Sequence, residues 1–130
     1  MRKLGLIGGM SWYSSETYYN RINKQVVRRT EGTCNAPLII ESLNFCDIQK
    51  ATSDQDWDNV ADVLIASAKR LEDAGATALI VCANSMHKVH DRVAAAIGVP
   101  VIHIADAVGA KMKAAGAEGI VEYPLNKIVM

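Results

Sequence analysis

Short apolar segments and stretches of helical periodicity alternate four times along this chain, and that alternation limits its fold more than any other feature. Residues 3–8 (Lys-Leu-Gly-Leu-Ile-Gly) form an apolar run closed by Gly8 and Gly9, the pattern of a buried parallel strand entering a tight turn. From about Ser14 the period lengthens. Tyr18, Ile22 and Val26 recur every four residues, and Arg28 and Arg29 precede Gly32, which predicts a helix with a basic last turn. Pro37 opens a second strand at residues 38–43, with a β-branched centre. Trp57, Val60, Leu64, Ser67, Ala68 and Leu71 make the cleanest amphipathic stripe, with Asp54 and Asp56 at its start and Gly75 at its close. Residues 77–82 read as a third strand. Asn84 or Ser85 is placed to cap the helix that follows, whose inward side is Met86, Val89, Val93 and Ile97. Residues 99–104 make a fourth strand, and an alanine-rich helix from about 106 to 115 carries Gly109 in its middle.

Connections of a few residues between alternating strands and helices favour an α/β fold, a parallel four-stranded sheet flanked by helices on both faces. Residues 119–123 resemble the start of a fifth strand, after which only residues 124–130 remain. At 130 residues the chain builds one ordinary core. Its 14 basic and 14 acidic residues cancel, which argues against nucleic acid or an anionic membrane as partner. No run has the roughly 18 apolar residues of a membrane span, so a soluble cytoplasmic protein is expected. Cys34, Cys46 and Cys82 contain no Cys-x-x-Cys pair, so reduced thiols are expected rather than a disulfide framework or zinc ribbon.

In open parallel sheets ligands bind beyond the carboxyl ends of the strands, so the residues just after each strand carry the chemistry. After the first strand, glycines at 5, 8 and 9 miss the dinucleotide-binding spacing, no Lys-Ser/Thr of a phosphate loop is present, and Tyr13 stands where a nucleophile elbow needs glycine. Gly8 and Gly9 either make a simple tight turn or a turn that also admits a carboxylate to backbone N–H groups. Cys82-Ala83-Asn84-Ser85-Met86-His87-Lys88 is more informative, because a strand end entering a helix offers N–H groups, an amide and a hydroxyl to an anion. Cys82 beside that positive field is either an activated thiolate or a small packed hydrophobe. His87 and His90 lie three apart without a visible third ligand, so no metal site is expected. His103 is a strand-end candidate, and Asp106 reads as a helix cap.

Gly-Leu-Ile-Gly-Gly-Met-Ser-Trp at 5–12, Cys-Ala-Asn-Ser-Met-His-Lys at 82–88 and Pro-Val-Ile-His-Ile-Ala-Asp at 100–106 together resemble the aspartate/glutamate racemase family, nearest its aspartate and broad-specificity branch. The resemblance runs from Met1 to about Ile120. It implies one flavodoxin-like half of a two-half fold over residues 1–121, with a divergent tail at 122–130 and the second family domain absent. It also implies a racemase acting on small amino acids such as aspartate or glutamate with no cofactor, and self-association that restores the missing wall. By the same resemblance Cys82 is the expected catalytic residue, and Met10, Thr52, Ala83, Asn84 and Ser85 are expected to hold substrate. Three positions depart from the family: Ala83 occupies the usual acid/base position, Ser85 replaces a threonine, and Thr52 stands near where relatives place a glutamine that helps hold substrate. Side chains alternate along a strand, so Cys82 reaches the site only if the strand has ended before it. A carboxylate-binding or assembly module without turnover is the alternative.

Overall fold

A computed structural model describes residues 2–116 of the protein. Strands β1 (Leu4–Gly8), β2 (Leu38–Ser42), β3 (Ala78–Val81) and β4 (Val101–Ile102) form one all-parallel sheet in the order β2-β1-β3-β4. Helices α1 (Trp12–Arg29), α2 (Phe45–Ser53), α3 (Trp57–Asp73), α4 (His90–Ala95) and α5 (Ile104–Ala114) make the connections, with a 3₁₀ turn at Asn84–Val89 before α4. The chain leaves β1 toward β2, then crosses back over β1 to lay down β3. Strand order therefore reverses between β1 and β3, the switch point beyond whose carboxyl ends sheets of this type take ligands.

The strand registers sort side chains into two faces. Ile39, Gly5, Leu79 and Val101 form one row across the sheet, and Glu41, Ile7 and Val81 lie on the same side. This face is sealed by α3, whose Val60, Leu64, Ala68 and Leu71 are buried. Gly5 is required there, because a Cβ would press into Leu79 and Ala76. Glu41 is tied to α3 through Ser67 Oγ at 2.6 Å and Arg70 Nε at 2.8 Å. The opposite row runs Ile40, Leu6, Ile80 and Ile102. Helix α1 covers its centre and buries only Ser15, while α5 buries no residue.

The expected fold class is borne out, and the local differences have physical causes. Helix α2 was not anticipated; it is nine residues long, buries only Ile48 and Ala51, and is started by Asn44, whose side chain accepts from Cys46 N–H. The fourth strand is shorter than expected, Val101–Ile102, and among the described residues it pairs with β3. The single helix expected after the third strand is a 3₁₀ turn and the six-residue α4, and neither Asn84 nor Ser85 caps it with a side chain. His103 rather than Asp106 caps α5, its Nδ1 accepting from Ala105 N–H at 3.0 Å. The expected fifth strand at 119–123 and the tail at 122–130 lie outside the described residues.

Candidate functional site

The β1 exit is locked by backbone geometry. Gly8 carbonyl accepts from Leu43 N–H at 2.9 Å, and Gly9 follows at φ 85°, where a side chain would collide with the Leu43 backbone. Ser15, one turn into α1, reaches back so that its hydroxyl accepts from Gly9 N–H at 2.8 Å. A Cβ on Gly8 would strike that hydroxyl, so both glycines answer to close contacts. Met10 is only 5% exposed and packs into the main core, so its backbone, not its side chain, is what this turn can offer a ligand. Trp12 and Tyr13 follow at the surface with stacked rings 3.8 Å apart.

The β3 exit runs alongside. Regular strand geometry ends at Val81, yet Cys82 N–H still donates to the Ile7 carbonyl at 2.9 Å, so the ladder continues one residue further. Alternation therefore holds, and Cys82 points to the α1 face, away from its neighbours Val81 and Ala83 in the α3-side core. The thiol is fully buried, and burial pushes it up to about 12. Tyr18 on α1 is pushed upward by burial first and by the neighbouring Cys82 second. At neutral pH such a thiol stays protonated. The thiol expected to act as the base is thus sealed on the α1 side of the sheet in this chain, and desolvation holds it neutral.

Ala83, extended and 6% exposed, leads into Asn84, half-buried, and Ser85, exposed. These three follow the β3 exit, which lies beside the β1 exit and residues 8–11. Thr52 is on α2, and its hydroxyl donates to the Ile48 carbonyl of its own helix at 2.9 Å. Beneath the 83–85 loop lies His87, whose Nδ1 is 3.0 Å from the Ala83 carbonyl and 3.2 Å from the Asn84 carbonyl.

His87 is not alone. Its ring centroid lies 6.3 Å from His90 and 4.8 Å from His103, and the last two are 4.6 Å apart. Sequence spacing showed the first two as neighbours but could not supply His103, which β4 brings back from a later turn. Their nitrogens point to separate partners: His90 Nε2 faces the Val101 carbonyl at 2.9 Å, and His103 Nδ1 is used in its cap. No group of three or more His, Cys, Asp or Glu among the described residues is arranged to hold a metal. His87 is held below the usual imidazole range by burial first and by His103 second.

With sheet order and strand-end loops in place, the chain can be set beside known proteins. The family model of the Asp/Glu/hydantoin racemases matches residues 7–121. The chain belongs to the Asp/Glu/hydantoin racemase family. A Yersinia pestis protein solved as a candidate Asp/Glu racemase is 43% identical, superposes with a TM-score of 0.85, and is matched over 89% of this chain and 50% of its own. An aspartate racemase homologue from Pyrococcus horikoshii is 34% identical with a TM-score of 0.78, again over 89% of this chain and 50% of its own. This racemase-family chain thus spans half the length of each of these relatives. Both loops at the β1 and β3 exits fall within the matched span. No helix among the described residues is long and apolar enough to cross a membrane.

Proposed function

We propose that this chain is an amino-acid racemase homologue of the aspartate/glutamate type, working without a cofactor, and that residues 8–11 and 83–85 form the wall that receives the substrate carboxylate. The adjacency of the two loops carries this reading. Cys82 N–H bonded to the Ile7 carbonyl keeps the exits of β1 and β3 side by side at the switch point, the position where sheets of this type take ligands. A small amino acid such as aspartate or glutamate offers a carboxylate that suits backbone N–H groups and the Ser85 hydroxyl.

Racemisation removes the Cα proton on one side and returns one on the other, so two acid/base groups must flank the carbon. Ala83 has no titratable group, and the sealed Cys82 thiol cannot approach a substrate. In this reading the proton-transferring groups come from outside this wall, from a facing segment or a second chain. The same two facts favour a second reading, a carboxylate-binding module without turnover. Deuterium incorporation at Cα of each enantiomer of aspartate and glutamate in heavy water, measured by NMR beside calorimetric binding, separates them. Exchange that survives Cys82→Ser supports the first reading, and saturable binding without exchange supports the second. Neither binding nor exchange with any of the four amino acids removes both.

A further inference from the structure

The imidazole of His87 belongs to the same loop from below. A carbonyl oxygen accepts and never donates, so the two carbonyls at 3.0 and 3.2 Å require the proton to sit on Nδ1. In the neutral ring Nε2 then carries the lone pair, and that atom is buried without a hydrogen-bond partner among the described residues. Charging the ring would place a cation in the interior beside His103 and His90, so burial keeps it neutral. The buried lone pair costs stability, and what the ring gives in return is a hold on two consecutive carbonyls. In a trans peptide the carbonyl and the following N–H lie on opposite edges of one plane. Drawing the Ala83 and Asn84 carbonyls inward to His87 therefore turns the N–H groups of Asn84 and Ser85 outward.

We propose that His87 is a positioning residue, whose Nδ1–H clamps the Ala83 and Asn84 carbonyls and thereby presents the Asn84 and Ser85 amides to an amino-acid carboxylate. The ligand half of this statement rests on the function proposed above; the clamp itself does not. An arrangement fixed before binding spends no ordering entropy when the ligand arrives, which is where such a residue acts on affinity.

Two variants and one spectrum test it. His87→Leu keeps bulk and removes the donor, whereas His87→Asn places an amide N–H near the position of Nδ1. In the wild type, long-range ¹H–¹⁵N imidazole spectra should show a neutral ring protonated on Nδ1. In His87→Leu the ¹⁵N order parameters of the Asn84 and Ser85 amides should fall as the loop loses its hold, and aspartate affinity should fall about tenfold, the scale of one hydrogen bond. His87→Asn should recover most of both. A ring protonated on Nε2, or Asn84 and Ser85 order parameters unchanged in His87→Leu, overturns the clamp; should the leucine variant not fold, the wild-type tautomer and the asparagine variant still decide it. Unchanged aspartate affinity in a folded His87→Leu overturns the positioning role and leaves the proposed function standing. The Nδ1 tautomer in the wild type and lowered order parameters in His87→Leu, with no amino acid bound by the wild type, remove the proposed function and support the clamp alone.

Discussion

Cys82 and His87 are five residues apart, both buried, and pushed by burial in opposite directions: the thiol upward and the imidazole downward. Each is held neutral, and each shift links stability to pH on its own side of neutrality. For Cys82 the folded value near 12 exceeds the ordinary value of 9.0, so its contribution is complete below about pH 9 and lost as pH rises toward 12, where the unfolded chain ionises first. Tyr18 adds to the same alkaline loss. Thermal melts between about pH 8 and 11 should therefore fall more steeply for wild type than for Cys82→Ala. Thiol titration at neutral pH should label the exposed Cys34 and Cys46 and spare Cys82 until the protein unfolds. Fast labelling of all three in the folded protein would reopen the catalytic reading of Cys82. For His87 the sign is reversed. A lowered imidazole value means that the unfolded chain takes up the proton first, so stability is complete above about pH 6.5 and is lost on acidification below it. Between about pH 7 and 5 the melting temperature of His87→Asn should decline less than that of wild type, and equal slopes would refute the buried neutral imidazole.

Among the elements, the β1–α1 turn is held by one side chain. Ser15 Oγ satisfies the buried Gly9 N–H, so Ser15→Ala leaves that donor without its partner and should lower stability by about 1–3 kcal/mol in denaturant titrations. Gly9→Ala should cost more, because a methyl at φ 85° also meets the Leu43 backbone, and failure to accumulate folded protein is expected. A Gly9→Ala protein as stable as wild type would mean that the β1 and β2 exits are not in contact. These turns were legible in the sequence because glycine pairs and apolar runs are local signals. Helix α2 was not, because its nine residues put only Ile48 and Ala51 fully inside and no stripe develops. Asn44 before Asp47 was a usable start signal. The helix after β3 was misjudged for the converse reason. Met86, Val89 and Val93 are inward as their spacing implied, but the chain reaches them through a 3₁₀ turn, a difference that periodicity cannot resolve.

Across the whole molecule, the two sheet faces are closed to different degrees, and the sequence shows why only in hindsight. Apart from Glu41 and Ser42 at the end of β2, both faces of the strands are free of polar side chains, which announces a sheet covered on both sides but does not say by what. On the α1 side the row Ile40, Leu6, Ile80, Ile102 grades outward from Leu6, fully buried, to Ile40 and Ile102, which are 40% and 42% exposed at the two edges. Tyr19 and Val27 of α1 are exposed as well. The apolar side chains open at Ile40 and Ile102 carry the prediction that the chain self-associates. The gradient makes the expectation specific. Leu6→Ala removes a fully buried side chain and should cost about 2–5 kcal/mol of stability, whatever the protein concentration at which association is saturated. Ile40→Lys and Ile102→Lys place a charge where water already reaches, so they should leave the monomer fold intact while weakening association in sedimentation velocity. If wild type remains monomeric across the accessible concentration range, or if neither lysine variant shifts the association, the open edges are ordinary surface, and the facing wall needed for proton transfer must come from something other than a second copy packed against this row.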